Sequence, residues 1–209
     1  MNLDRLAFLA NALILLNVFY ALATLVQWAV ARRLGIVIKT VQIFMGKSSA
    51  CLRCCGTPVE FGWIPTGSTL TYDVEQFFTR PRFHRLIMVA GGPGALLLLA
   101  MLLLGWGPAM HHFLAGVAQY LVGGVPFKVG LLTRCHELWQ QSVGATVSLL
   151  AAKAAAFAMV NTFAQLFAHV LGSPESRFWA AVLTIHTLLL YAVLGYWLVA
   201  IWHFLARAG

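Results

Sequence analysis

Acidic side chains are scarce in this sequence: Asp4, Glu60, Asp73, Glu75, Glu137 and Glu175 are all it has in 209 residues. Charged residues of both signs reach only 10%, where an ordinary soluble chain carries about a quarter. A chain so poor in charge does not make a soluble domain, and lipid must solvate the bulk of it. Few carboxylates fall in the apolar stretches, which argues against a proton or cation path, since such paths usually need them. What is abundant is apolar: 61% of residues, with a mean hydropathy of +0.83. The net charge of +8 raises nucleic acid as a partner. Its basic residues, however, are not interleaved with aromatics on a polar face. They sit between apolar runs, where they set membrane orientation, so no nucleic-acid partner is expected.

Crossing a hydrocarbon core takes about 20 apolar residues in a helix. Four segments qualify, at about 6–31, 86–106, 146–171 and 178–205. The first is too long for the h-region of a secretory signal and reads as a retained span. A shorter apolar stretch, 113–127, is broken by a glycine pair and a proline and reads as re-entrant or interfacial. The connection 32–85 carries Arg32, Arg33, Lys39, Lys47, Arg53, Arg80, Arg82 and Arg85, whereas 107–145 carries only Lys128 and Arg134. The positive-inside rule puts 32–85 in the cytoplasm and both termini on the other side. Within that connection, 'GIVIKTVQIF' sets Val37, Lys39, Val41 and Ile43 against Ile36, Ile38, Thr40 and Gln42, the alternation of a strand. A turn-rich 'GKSSACLRCCGTP' follows, and 'VEFGWIP' reads as the partner strand. The expected fold is an α-helical integral membrane protein, a single domain over 1–209. It has about four transmembrane helices and a small cytoplasmic β-element at 36–72, with an edge left partly exposed.

Ala31-Arg32-Arg33-Leu34-Gly35, Phe44-Met45-Gly46-Lys47, Ile64-Pro65-Thr66-Gly67-Ser68, then Ala90-Gly91-Gly92-Pro93 and Val160-Asn161 occur in this order. In order and spacing this set resembles the site-2 protease family of intramembrane zinc metalloproteases, over about 20–171. The resemblance implies a His-Glu-x-x-His helix just before the arginine pair, with two histidines on one face for zinc and a glutamate to activate water. Counted back from Arg32, those places hold Ala23, Thr24 and Gln27. The family's third ligand, an aspartate, falls on His169, and the proline after the asparagine on Ala164. Alanine cannot ligate zinc, a glutamine amide is a poor substitute for imidazole, and threonine has no carboxylate to serve as base.

The expectation that follows is a catalytically inactive relative of that family, bound to the lipid bilayer of a bacterial inner membrane. Its partner is a transmembrane or membrane-inserting polypeptide, in an adaptor, chaperone, regulator or immunity role. Gln27, Asn161 and His169 are the candidate binding residues, with Ile64, Pro65 and Gly67 of the sheet loop. Thr24, Gln27, Asn161 and His169 are also expected to bond one another between the first and third core helices. No cofactor is expected. Cys51, Cys54 and Cys55 supply a Cys-x-x-Cys pair suited to zinc, with redox sensing or a simple turn as the other readings. An active protease built on His169, His136 and Glu137, a structural subunit of a membrane complex and a transport subunit are the alternatives. 'CHELWQQ' places Gln140 where a second zinc histidine would stand and reads as a polar lead-in to a helix. His111, His112, His186 and His203 read as packed or interfacial, and Lys153 as snorkelling.

Overall fold

A helix that begins at the third residue and does not stop for 31 residues sets the frame. The computed structural model describes residues 3–121, 129–166 and 177–206. The first helix, α1 (Leu3–Arg33), is rich in leucine and alanine and free of glycine and proline. It stops at a glycine. The Ile36 N–H donates to the Ala31 carbonyl at 2.9 Å and the Gly35 N–H to the Arg32 carbonyl at 3.1 Å. With Gly35 at φ +66°, this is the Schellman termination, in which a left-handed residue turns the chain back to satisfy the last carbonyls. Ile36 and Ala31, both buried in one cluster, supply the apolar contact that accompanies the motif. The Ala-Arg-Arg-Leu-Gly run is thus a helix stop, and Arg80 clasps it by donating to the Gly35 carbonyl.

Four strands follow: β1 (Ile38–Met45), β2 (Ala50–Cys54), β3 (Thr57–Phe61) and β4 (Ile64–Tyr72). They form one open sheet in the order β2-β3-β1-β4. β1 runs parallel to β3 and antiparallel to β4, and β2 is antiparallel to β3. Two details depart from the alternation expected of the sequence. A register irregularity between Ile38 and Thr40 shifts the phase, so Ile36, Ile38 and then Val41 are buried while Lys39 points outward. The residues of the expected turn also include a strand, β2. Its hairpin closes through Cys55 and Gly56 at φ +49° and +84°, the signature of a two-residue type I′ loop. 'VEFGWIP' does contain a partner of β1, but it splits at Gly62 between β3 and β4. A side chain there would collide with the Met45 carbonyl, so the sharp passage between strands requires glycine.

The short α2 (Val74–Thr79) starts on Asp73, whose carboxylate accepts from the Gln76 N–H at 3.1 Å and pairs with Lys39 at 3.3 Å. Then come α3 (Arg82–Leu104), α4 (Trp106–Leu121), α5 (Val129–Gln141), α6 (Val143–Leu166) and α7 (Arg177–Ala206). α6 packs on α3 and α4 through buried Ala151, Ala152, Ala154, Ala155 and Ala156, small residues that let helix backbones approach closely. A Cβ on Gly116 of α4 would come within 2.7 Å of the Ala156 Cβ. At the far end of α1, Arg5 donates to the Phe204 carbonyl at 3.0 Å and lies over the Phe204 ring, bringing the start of α1 beside the end of α7.

The chain is therefore largely helical with a small open sheet. Among the described residues, two helices are long and apolar enough to cross a bilayer, α1 and α3. Shorter apolar helical stretches occur at Val143–Ala156 in α6 and Gly195–Ala206 in α7. The expected spans at 146–171 and 178–205 overlap these helices, but 167–171 lies outside the described residues. The stretch 113–127 is helical through Leu121, as the continuation of a helix that begins at Trp106. Its remainder, 122–127, also lies outside them.

Two outcomes test these junctions. Gly35→Ala forces a left-handed L-residue and crowds the Arg80 guanidinium, 3.2 Å from the new Cβ. It should lower stability by about 1–2 kcal/mol, read as a reduced thermal midpoint in detergent. Asp73 has its pKa held below the ordinary carboxylate value, first by the Gln76 N–H and then by Lys39. Its contribution is complete above the unfolded-state pKa and fades as pH falls through the lower folded one. Wild type and Asp73→Asn should therefore differ in thermal midpoint at neutral pH and converge at acid pH.

Candidate functional site

Four polar residues lie along α1 at spacings of three, four and three: Asn17, Tyr20, Thr24 and Gln27. That spacing places them on one helical face, and the face meets β4. The Asn17 amide donates to the Pro65 carbonyl at 2.7 Å and to the Leu13 carbonyl at 2.8 Å, and its oxygen accepts from the Gly67 N–H at 3.2 Å. One turn on, the Ser68 hydroxyl donates to the Tyr20 carbonyl at 2.8 Å and shares a 2.5 Å hydrogen bond with the Thr24 hydroxyl. Asn17 and Thr24 are both buried. A helix has no spare backbone donors in its middle, so these side chains make the join between helix and strand. Gly67 sits at φ +73°, a conformation that suits glycine.

Of the positions that the sequence singles out, Thr24, Pro65 and Gly67 belong to this seam. Ala23 is buried against α3, where a Cβ on Gly92 would lie 3.5 Å from its own. Thr24 is held by Ser68. Gln27 is half-buried beside Gly91, whose added Cβ would sit 4.0 Å from the Gln27 Cα. Asn161 is in α6, and His169 lies outside the described residues. Among the described residues Thr24 bonds to Ser68 of the sheet, and His169 of the expected core-helix network lies outside them. Pro65 and Gly67 turn their backbone groups to Asn17 of the same chain, and Ile64 is exposed, with its side chain against Gly46. Asn17 is not among the candidate residues of the sequence, and Ser68 enters there only as the end of the Ile64–Ser68 motif. The three-four-three polar stripe in the apolar middle of the helix is the signal that marks Asn17.

The sheet's two outer strands therefore differ. β4 is occupied by α1, while β2 ends the sheet on the other side with all five residues exposed. Its side chains alternate: Leu52 shares a face with its cross-strand partner Val59, and Cys51 and Arg53 lie on the opposite face with Glu60 and Pro58. Cys51 and Cys54, three apart on a strand, point to opposite faces, so the Cys-x-x-Cys pair does not converge as it would in a turn. All three thiols of the run are free and exposed. Among the described residues, no group of three or more His, Cys, Asp or Glu is arranged to hold a metal ion.

In α5, His136 packs edge-on against Phe8 at 5.4 Å and Phe204 at 5.8 Å, tying α5 to α1 and α7. Its neighbour Glu137 is exposed. The lead-in reading of 'CHELWQQ' thus becomes a helix of its own. The rings of His111 and His112 contact each other. Lys153 is buried in α6, with its ammonium near Gly116 of α4. Neither family models nor curated proteins give a match to this chain.

Truncating Asn17 to alanine strands the Gly67 N–H and the Pro65 carbonyl at the seam. The expected loss is about 1–3 kcal/mol, with faster hydrogen exchange confined to β4 and the adjoining turn of α1. Thr24→Val, which leaves the Ser68–Tyr20 bond in place, should lose less.

Proposed function

We propose that this chain is a multi-pass protein of the bacterial inner membrane with the architecture of a site-2 protease and without its catalysis. It docks an extended segment of a transmembrane or membrane-inserting polypeptide. The exposed outer edge of β2 carries this reading: a strand with no neighbour on one side is a template for another strand. Supporting the loss of catalysis are Ala23, Thr24 and Gln27 at the places of the zinc helix, two of them engaged in packing or hydrogen bonds with the rest of the chain. Four spans, with 32–85 cytoplasmic and both termini opposite, agree with the eight basic residues of that connection. They also agree with the Arg5–Phe204 contact, which sets the start of α1 and the end of α7 on one side. The partner's role, as substrate of an adaptor, client of a chaperone or target of an immunity protein, follows from its identity.

A photoreactive amino acid at Arg53 of β2, compared with one at Thr71 of β4, tests the edge in membranes. Polypeptide adducts should come from position 53 in clear excess over 71, and the reverse ratio or none from 53 would sink the proposal. Zinc by elemental analysis, in wild type and in the Cys51→Ser, Cys54→Ser double variant, tests the missing catalysis. Less than one equivalent per chain is expected in both, and stoichiometric zinc in the variant would restore a metal site within the membrane helices.

A further inference from the structure

Beneath β2 the sheet and α1 do not close. Leu25 and Trp28 of α1, Val41 of β1, Val59 of β3, and Leu52 and Cys54 of β2 wall a cleft of about 190 Å³. None of the six side chains is charged, and Leu52 at its outer wall is 62% exposed. The indole is fixed in place, because Trp28 Nε1 donates to the Thr57 hydroxyl at 3.3 Å. One turn further along α1, the Arg32 guanidinium lies over that ring, 5.1 Å from its centre. Arg32 and Arg33 are both exposed at the end of a helix long enough to cross a bilayer. The site thus has two parts: an apolar cleft, and a planar cation at the level where a helix of this kind leaves the hydrocarbon.

We infer that this cleft holds an acyl chain of an anionic phospholipid, with its phosphate at Arg32. An apolar side chain would use the cleft and ignore the cation; a free anion would do the opposite. A phospholipid joins both chemistries in one molecule. The volume is below the roughly 300–1,000 Å³ of pockets that enclose a whole small ligand, so it takes a segment of the chain and leaves the rest in the bilayer. Guanidinium suits the head group because its planar fork pairs with phosphate oxygens, and the cytoplasmic leaflet supplies anionic lipid. The inference goes beyond polypeptide docking at the β2 edge and shares with it only the membrane placement.

Full-length protein in mixed-lipid nanodiscs, carrying either phosphatidylglycerol or phosphatidylcholine with a photoactivatable acyl chain, gives the test. Adducts should map to the peptides spanning Leu25–Trp28 and Leu52–Cys54, with phosphatidylglycerol favoured by roughly fivefold, the factor that one basic residue near an anionic surface contributes. Arg32→Gln should bring the two lipids level while keeping the adducts, and Leu52→Glu should remove them for both, each variant retaining the wild-type thermal midpoint within a few degrees. Equal labelling by the two lipids in wild type, or labelling that misses both peptides, overturns the lipid site and leaves polypeptide docking standing. No labelling anywhere on α1 or α3 overturns the membrane placement on which both rest.

Discussion

The placement of the sheet against α1 depends on one seam: a handful of side-chain hydrogen bonds that fasten β4 to the middle of the helix. Asn17 reaches Pro65 and Gly67, and Ser68 reaches Tyr20 and Thr24. A four-stranded open sheet has little to anchor it to a hydrophobic helix, whose own backbone groups are already paired. Polar side chains on one face of that helix solve the problem, and they decide which edge of the sheet is used up. Because β4 is claimed by α1, the free edge is β2. The cleft beneath β2 lies toward the opposite edge of the sheet from this seam, where α1 reaches β3 through the Trp28–Thr57 hydrogen bond.

The seam also limits what the stretch of α1 from Ala23 to Gln27 can hold. A zinc helix needs its ligating face turned into an open, metal-sized space. Here that stretch is closed by contact: Ala23 abuts Gly92 and Thr24 bonds to Ser68. An imidazole at position 23 would have to displace α3, and a carboxylate at 24 would meet a hydroxyl already in use. Gly91 and Gly92 on α3 and Ala23 on α1 let the two helices approach closely along this stretch.

Much of the architecture could be read from residue patterns. The long apolar run of α1, the apolar α3 and the strand character of 'GIVIKTVQIF' follow from composition and periodicity alone. The errors have identifiable causes. β2 was hidden because Ser, Cys and Gly around it read as turn residues, whereas the turn itself occupies only Cys55 and Gly56. The strict alternation over 36–43 breaks at a register irregularity between Ile38 and Thr40, and irregularities leave no mark in a hydrophobic pattern. The catalytic interval that the resemblance marks on α1 covers Thr24 and Gln27, whereas Asn17 lies outside that interval, on the same polar stripe. Ser68 was out of reach, since its role depends on the register between a strand and a helix more than forty residues away.

The Asn17 contacts carry a consequence for the order of assembly. Its strand partners come 48 and 50 residues later in the chain. If α1 enters the bilayer as it is synthesised, the amide arrives well before Pro65 and Gly67 exist to meet it. A bare carboxamide in hydrocarbon is unfavourable, but the Leu13 carbonyl, one turn back on the same helix, already lies within reach at 2.8 Å. That local bond shelters the amide donor in the nascent helix. The later strand then docks onto a side chain that has been held in position since insertion.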